Sequence, residues 1–172
     1  MGQDATGQHL YLLDQAFAGD GWHSLLTNLH AATEADWTWV PPGGSRSIRD
    51  VIRHVGGTKY MYENHAFGDA SLTWDHPLVD GSGALDDAAA AEVWLDAAQR
   101  LLRASVAALD DADLARARPT NWGELRETRW IIGVLVAHDC YHAGEINHLR
   151  SLHQADDGWE YERASEQATP SA

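Results

Sequence analysis

The side chains best suited to chemistry cluster in one stretch, His138-Asp139-Cys140-Tyr141-His142-Ala143-Gly144-Glu145-Ile146-Asn147-His148. His138 and His142 are spaced i, i+4, which stacks them on one face if the stretch is helical. With His138 at 0° and about 100° per residue, His142 falls near 40°, Glu145 near 340°, and Ile131 and Leu149 near 20°. The two histidines and Glu145 are therefore expected in the middle of an apolar stripe, pointing into the protein. Inward histidines on facing helices are how helical bundles build metal sites. A catalytic metal takes three protein ligands and keeps one position open, so a third ligand is expected from another helix. His54 lies about 60° from Val51 and 100° from Val55 on a helical wheel, at the border of that segment's apolar stripe. His65 and His76 are weaker candidates for the same role. The alternative is that the histidines are hydrogen-bonded core residues and no metal is held.

Four segments must position these groups. Leu10, Leu13, Phe17, Leu25, Leu26 and Leu29 give a helical stripe over about Gln8 to Ala32, interrupted at Gly19-Asp20-Gly21. Ser47 with Asp50 three residues on is a capping-box variant, and Ile48, Val51, Ile52, Val55 and Tyr62 follow the helical template to Phe67. Trp94, Leu95, Leu101, Leu102, Val106 and Leu109 mark a third helix over Leu85 to Leu109, rich in alanine. Ile131, Val134, Leu135, Ile146, Leu149 and Leu152 mark a fourth over Leu125 to His153. The breaker-rich stretches at Val40 to Gly44, Gly68 to Asp86 and Asp110 to Gly123 separate them. No segment alternates with period two between hairpin turns, so a sheet is not expected. The fold class predicted is all-α, a four-helix bundle over residues 1–155 with a polar C-terminal tail over 156–172. The connection from Gly68 to Asp86 is long enough to run the length of the bundle, which would make the second and third helices parallel.

Composition narrows the partners. Lys plus Arg total 12 against 26 Asp plus Glu, a formal charge of −14. A duplex binder needs a basic face to displace counterions, and an anionic membrane needs one too, so neither nucleic acid nor membrane is an expected partner. Eleven of the twelve basic residues are Arg and one is Lys59, the bias of a high-GC bacterial coding sequence. The one cysteine, Cys140, excludes an internal disulfide and a Cys-based zinc site. It falls near 200°, opposite His138, and is read as structural. The first residues lack a basic and apolar leader, and the longest apolar run is far short of the ~20 residues that span a bilayer. A cytoplasmic protein is expected.

The chain resembles the DinB/YfiT-like family of small bacterial metal-binding four-helix bundles, from about Tyr11 to Leu152. The matching residues are Ser47-Ile48-Arg49-Asp50-Val51-Ile52-Arg53-His54-Val55, Trp130 through Val136, and His138-x-x-x-His142-x-Gly144-x-Ile146. The Trp39-Val40-Pro41-Pro42 approach to the second helix also fits. The resemblance implies a divalent metal held by His54, His138 and His142. Zinc suits three imidazoles best, with nickel, manganese and iron as other candidates. Where many relatives have Gln after the glycine of the motif, this chain has Glu145, which can be a fourth ligand, a partner that orients a histidine, or a proton acceptor.

The resemblance further implies an enzyme using a low-molecular-weight thiol, of the mycothiol, bacillithiol or glutathione type, for S-transfer to an electrophilic substrate or for isomerisation. The arginine bias directs the expectation to mycothiol. Similar proteins are often homodimers. Two other readings stand beside it: a metal-dependent hydrolase with Glu145 as base, and a stress-related bundle whose metal is only structural. Arg46, Arg49 and Arg53 could meet carboxylates of the thiol, though a solvated face is the simpler expectation. Trp37, Trp39, Trp74, Trp122 and Trp130 either line a pocket mouth or seal a bundle end.

Overall fold

The structure is a computed structural model that describes residues 4–156 apart from 20 and 22. The polar tail expected over 156–172 lies outside the described residues except for Asp156. Four long helices carry the fold: α1 (Ala5–Ala18), α4 (Ile48–Phe67), α6 (Ala88–Ala107) and α7 (Thr128–Gln154). Short helices α2 (Leu25–His30), α3 (Glu34–Trp37) and α5 (Pro77–Asp80) lie in the connections. The all-α bundle expected from the periodicity is the observed class, and the break expected after Ala18 separates α1 from α2.

Local chemistry sets the helix starts. Ser47 and Asp50 close a reciprocal box at the start of α4, with Ser47 N donating to Asp50 Oδ2 at 3.0 Å and Asp50 N to Ser47 Oγ at 3.3 Å. The Asp87 carboxylate accepts from Ala90 N at 2.8 Å, so α6 begins at Ala88 rather than at Leu85.

In cross-section, α1 packs against α6 and α7, and α4 packs against α6 and α7. Cross-helix contacts give the directions. Gly56 meets Trp94, Lys59 meets Gln99 and Glu63 meets Ser105, so α4 and α6 are parallel, as the long connection allowed. His54 meets His138 and Arg118, just before α7, reaches Ala66, so α4 and α7 are antiparallel. The crossover between the parallel pair is pinned along α4. Leu72 N donates to Asn64 Oδ1 at 2.9 Å, and Trp94 Nε1 donates to Leu78 O at 2.9 Å. Gly56 and Gly57 make this possible: a Cβ would sit 2.2 Å from the Trp94 ring at Gly56 and 2.7 Å from Val79 O at Gly57.

One correction concerns strands. Ala117–Pro119 (β1) and Leu125–Glu127 (β2) pair antiparallel, so α7 starts at Thr128, three residues after the expected Leu125. The strands are too short for a period-two pattern to register. Their stability comes from their attachments: Arg118 donates to Thr128 Oγ1 at 3.0 Å and to Ala66 O at 3.2 Å, and its guanidinium covers the Phe67 ring at 4.8 Å. Among the described residues, no helix is long and apolar enough to cross a membrane.

The core falls into two apolar clusters. One joins Phe17, Trp37, Ile52, Val55, Leu95 and Ile146; the other joins Leu13, Leu102, Ile131 and Leu135. A polar contact is buried with them. Lys59 Nζ donates to Asp139 Oδ2 at 2.6 Å and to Gln99 Oε1 at 2.9 Å, and Gln99 Nε2 donates to Leu13 O at 3.4 Å. One network thereby touches all four long helices.

Candidate metal centre

His54 on α4 and His138 and His142 on α7 converge. His54 Nε2 and His138 Nε2 are 3.0 Å apart, and one ring nitrogen from each of the three lies within 4.8 Å of the others. The ring centroids are 4.4 to 5.0 Å apart, with the planes steeply inclined to one another. Tetrahedral zinc–nitrogen bonds of about 2.05 Å put ligand nitrogens about 3.3 Å apart. The donor set and its spacing therefore fit a divalent ion, reached by small ring rotations.

His142 is oriented by its neighbour. Its Nδ1 lies 2.7 Å from Glu145 Oε2, which leaves Nε2 for an ion. A carboxylate on the far nitrogen fixes the tautomer and raises ligand basicity. Arg46 Nη1 stands 3.9 Å from the other Glu145 oxygen. Of the three roles open to Glu145, orientation of a histidine is the one its contacts match.

The site is at the margin of the core, not in its middle. On α7 the buried face is centred near Asp139, Ile146 and Ile132, because this helix packs against both α4 and α1. His138 and Glu145 sit on the rim of that face. His142 is buried, His138 is half-buried and His54 is exposed. Burial, together with the neighbouring His142 and His54, pushes the His138 imidazole down to about 3. Partial burial, helped by His142 and Arg46, also lowers His54. Both rings are thus held neutral near pH 7, the form that binds metals.

The remaining candidates lie elsewhere. His65 Nε2 is 3.0 Å from Leu72 O, and His76 Nδ1 accepts from Leu78 N at 3.2 Å. These contacts fasten the crossover. Cys140 is half-buried, and burial raises its thiol. Trp37 is buried and Trp39 stacks on His153 with centroids 4.7 Å apart, sealing one end of the bundle. Trp74 and Trp122 instead line a cavity of about 340 Å³ with His54 and His138. Lys59 and Asp139 had no assigned role in the sequence. Their signal was present, since Lys59 is i+7 from Ile52 and Asp139 is i+7 from Ile132, both on apolar stripes.

Residues 19–146 match the family model of the DinB superfamily. The chain belongs to the DinB superfamily. No curated protein matches it. Within this DinB chain the matched span contains both histidines of α7 and His54 of α4, together with Glu145.

Proposed function

We propose that this DinB protein holds one divalent metal, zinc first among the candidates, on His54, His138 and His142, and uses it with a low-molecular-weight thiol for S-transfer or isomerisation. The observation that carries this reading is the convergence of three imidazoles at the rim of the core, with the exposed His54 leaving one side open to solution. A structural site would be closed by four protein ligands. An ion there would hold the cosubstrate thiol as the nucleophilic thiolate. Glu145 keeps His142 in its ligating tautomer, and the low basicity of His138 keeps its ring available at neutral pH.

On one side of His54, a cavity of about 220 Å³ shares Arg53 and Asp80 with a further cavity of about 370 Å³ lined by Arg49, Ser82 and Asp86. Its mixed charges and hydroxyl suit the polar arm of such a thiol. The hydrolase reading asks Glu145 to take a proton from water, but one of its oxygens is committed to His142 and the other faces Arg46.

The test is metal content by mass spectrometry on reconstituted protein, followed by titration with mycothiol and bacillithiol. Near one equivalent of metal is expected in the wild type and almost none in His142→Ala, with thiol binding only in the loaded wild type. Absence of metal after reconstitution, or thiol binding indifferent to metal, would overturn the reading. Turnover of p-nitrophenyl acetate without thiol, lost in Glu145→Gln, would favour the hydrolase.

A further inference from the structure

The face of α7 turned away from the core carries no charge. From Trp130 to Leu152 its exposed residues are Trp130, Gly133, Ala137, Tyr141, Gly144, His148 and Leu152. None is an Asp, Glu, Lys or Arg, in a chain whose formal charge is −14. The exposed residues of α6, by contrast, include Arg100 and Arg103. Tyr141 is 71% exposed and Trp130 40%. Depletion of charge around exposed aromatic side chains is the composition of the centre of a protein interface.

The two glycines of this face serve no packing inside the chain. Glycine weakens a helix interior. Gly56 and Gly57 of α4 are explained by Trp94 and Val79, which press on them, but a Cβ at Gly133 or Gly144 would meet nothing within 4 Å. What they offer is a close approach from outside. Their spacing is self-complementary. Gly133 and Tyr141 lie four residues either side of Ala137, and Trp130 and Gly144 lie seven. A two-fold axis at Ala137, with a second α7 antiparallel to the first, brings Tyr141 level with the partner's Gly133 and Trp130 level with the partner's Gly144. Each large ring then meets a missing side chain. Arg129 and Glu145 lie eight residues either side of Ala137, so Arg129 comes level with the partner's Glu145 and the rim pairs opposite charges.

We propose that the outer face of α7 seats a second copy of this chain, antiparallel about a two-fold axis at Ala137. The face's own reversed order supplies a small residue for each large one and a carboxylate for its one cation, which is what an isologous contact requires. Charge points the same way. Two molecules at −14 repel over most of their surface, and this strip lets them touch without facing carboxylates across the seam. His138 and His142 lie about 100° and 140° round the helix from Ala137, so the histidine site stays open in the dimer. Tyr141 meets His142 edge-on, with centroids 4.9 Å apart, which sets the seam one side chain from that site. The contact does not depend on what the site does.

The test is sedimentation equilibrium of the full chain over about 1–100 μM, the range in which a small interface dissociates. The wild type is expected to form a dimer, equally with zinc and after chelation. Ala137→Glu sets two carboxylates against each other on the axis and should weaken the dimer by about 100-fold or more. Gly133→Leu fills the hole opposite Tyr141 and should weaken it about ten-fold. Leucine is the better helix former, so the melting temperature of that variant as a monomer should not fall. Tyr141→Ala should cost about ten-fold. Val93→Glu on α6, where the apolar side chain is 69% exposed, should leave association unchanged. A wild-type circular dichroism spectrum verifies the fold of each variant. A monomer at every concentration, an open-ended assembly, or a dimer of undiminished strength in Ala137→Glu or in Gly133→Leu would overturn the proposal. A dimer found only with zinc would point to a bridging ion and overturn it too, while a dimer that holds no zinc would keep it and overturn the metal reading.

Discussion

Lys59 and Asp139 meet on the same two helices that bring His54 to His138, about 7.5 Å further along α4, and the two clusters face opposite conditions. The ion pair is sealed: its side chains are 0% and 1% exposed. Burial pushes the Asp139 carboxyl upward while Lys59 pulls it back. The histidine cluster sits at the rim with one ring in solution. A charge pair in the core can stay because each partner offsets the other's charge, and Gln99 accepts a second hydrogen bond from Lys59. The three rings at the rim, of which only His54 is exposed, are brought together by their helices and are free to share an ion. The same helix pair thus has one polar contact that ties it together and one that remains available for chemistry.

Breaking the sealed pair should have the largest effect. Lys59→Met or Asp139→Leu alone strands a buried charge and is expected to cost about 3–5 kcal/mol in urea unfolding, whereas the double substitution recovers most of it. A single variant as stable as the wild type would mean that the pair is not closed to water. The pH response separates the clusters next. His138 titrates near 3 in the folded chain and near 6.5 when unfolded. Between those values the unfolded chain binds more protons. Metal-free protein should therefore lose stability as pH falls from about 6.5 towards 3, by up to about 1.4 kcal/mol per pH unit for one such group. In His138→Phe that slope should flatten, as read by denaturation at a series of pH values.

Glu145→Gln sharpens the open cluster. It removes the carboxylate behind His142 and is expected to weaken metal binding by about 10–100-fold, measured by competition with a chelator, with little change in unfolding of the metal-free chain. Arg46→Ala should be smallest. The Arg46 contact at 3.9 Å is half exposed, so the change should stay within about 1 kcal/mol, and zinc affinity should move less than in Glu145→Gln.

The bundle and the two histidines of α7 were legible in the sequence because helical spacing places side chains without knowledge of their neighbours, whereas spacing left His54 at the border of a stripe and the family resemblance singled it out. The depth of the site was not. His138, His142 and Glu145 read as the middle of a stripe, but the middle of the buried face of α7 is set by its two partners, and that moves it to Asp139 and Ile146. Lys59 and Asp139 sat on apolar stripes as discordant charges, and only the pairing of α4 with α7 shows that they answer each other. The cavity beside His54 and His138 was beyond reach, because Trp74 and Trp122 come from a crossover and a hairpin whose courses are fixed by contacts far away in sequence, such as Trp94 Nε1 on Leu78 O and Arg118 on Ala66 O.

The crossover that returns along α4 also separates two kinds of inheritance. The histidines belong to helices whose packing tolerates little change, while Trp74 belongs to a connection pinned at a few points and otherwise exposed. Loops of this kind accept substitutions and insertions that a packed helix would reject. Descendants of this scaffold can therefore redraw one wall beside the histidines, residue by residue, without renegotiating the bundle.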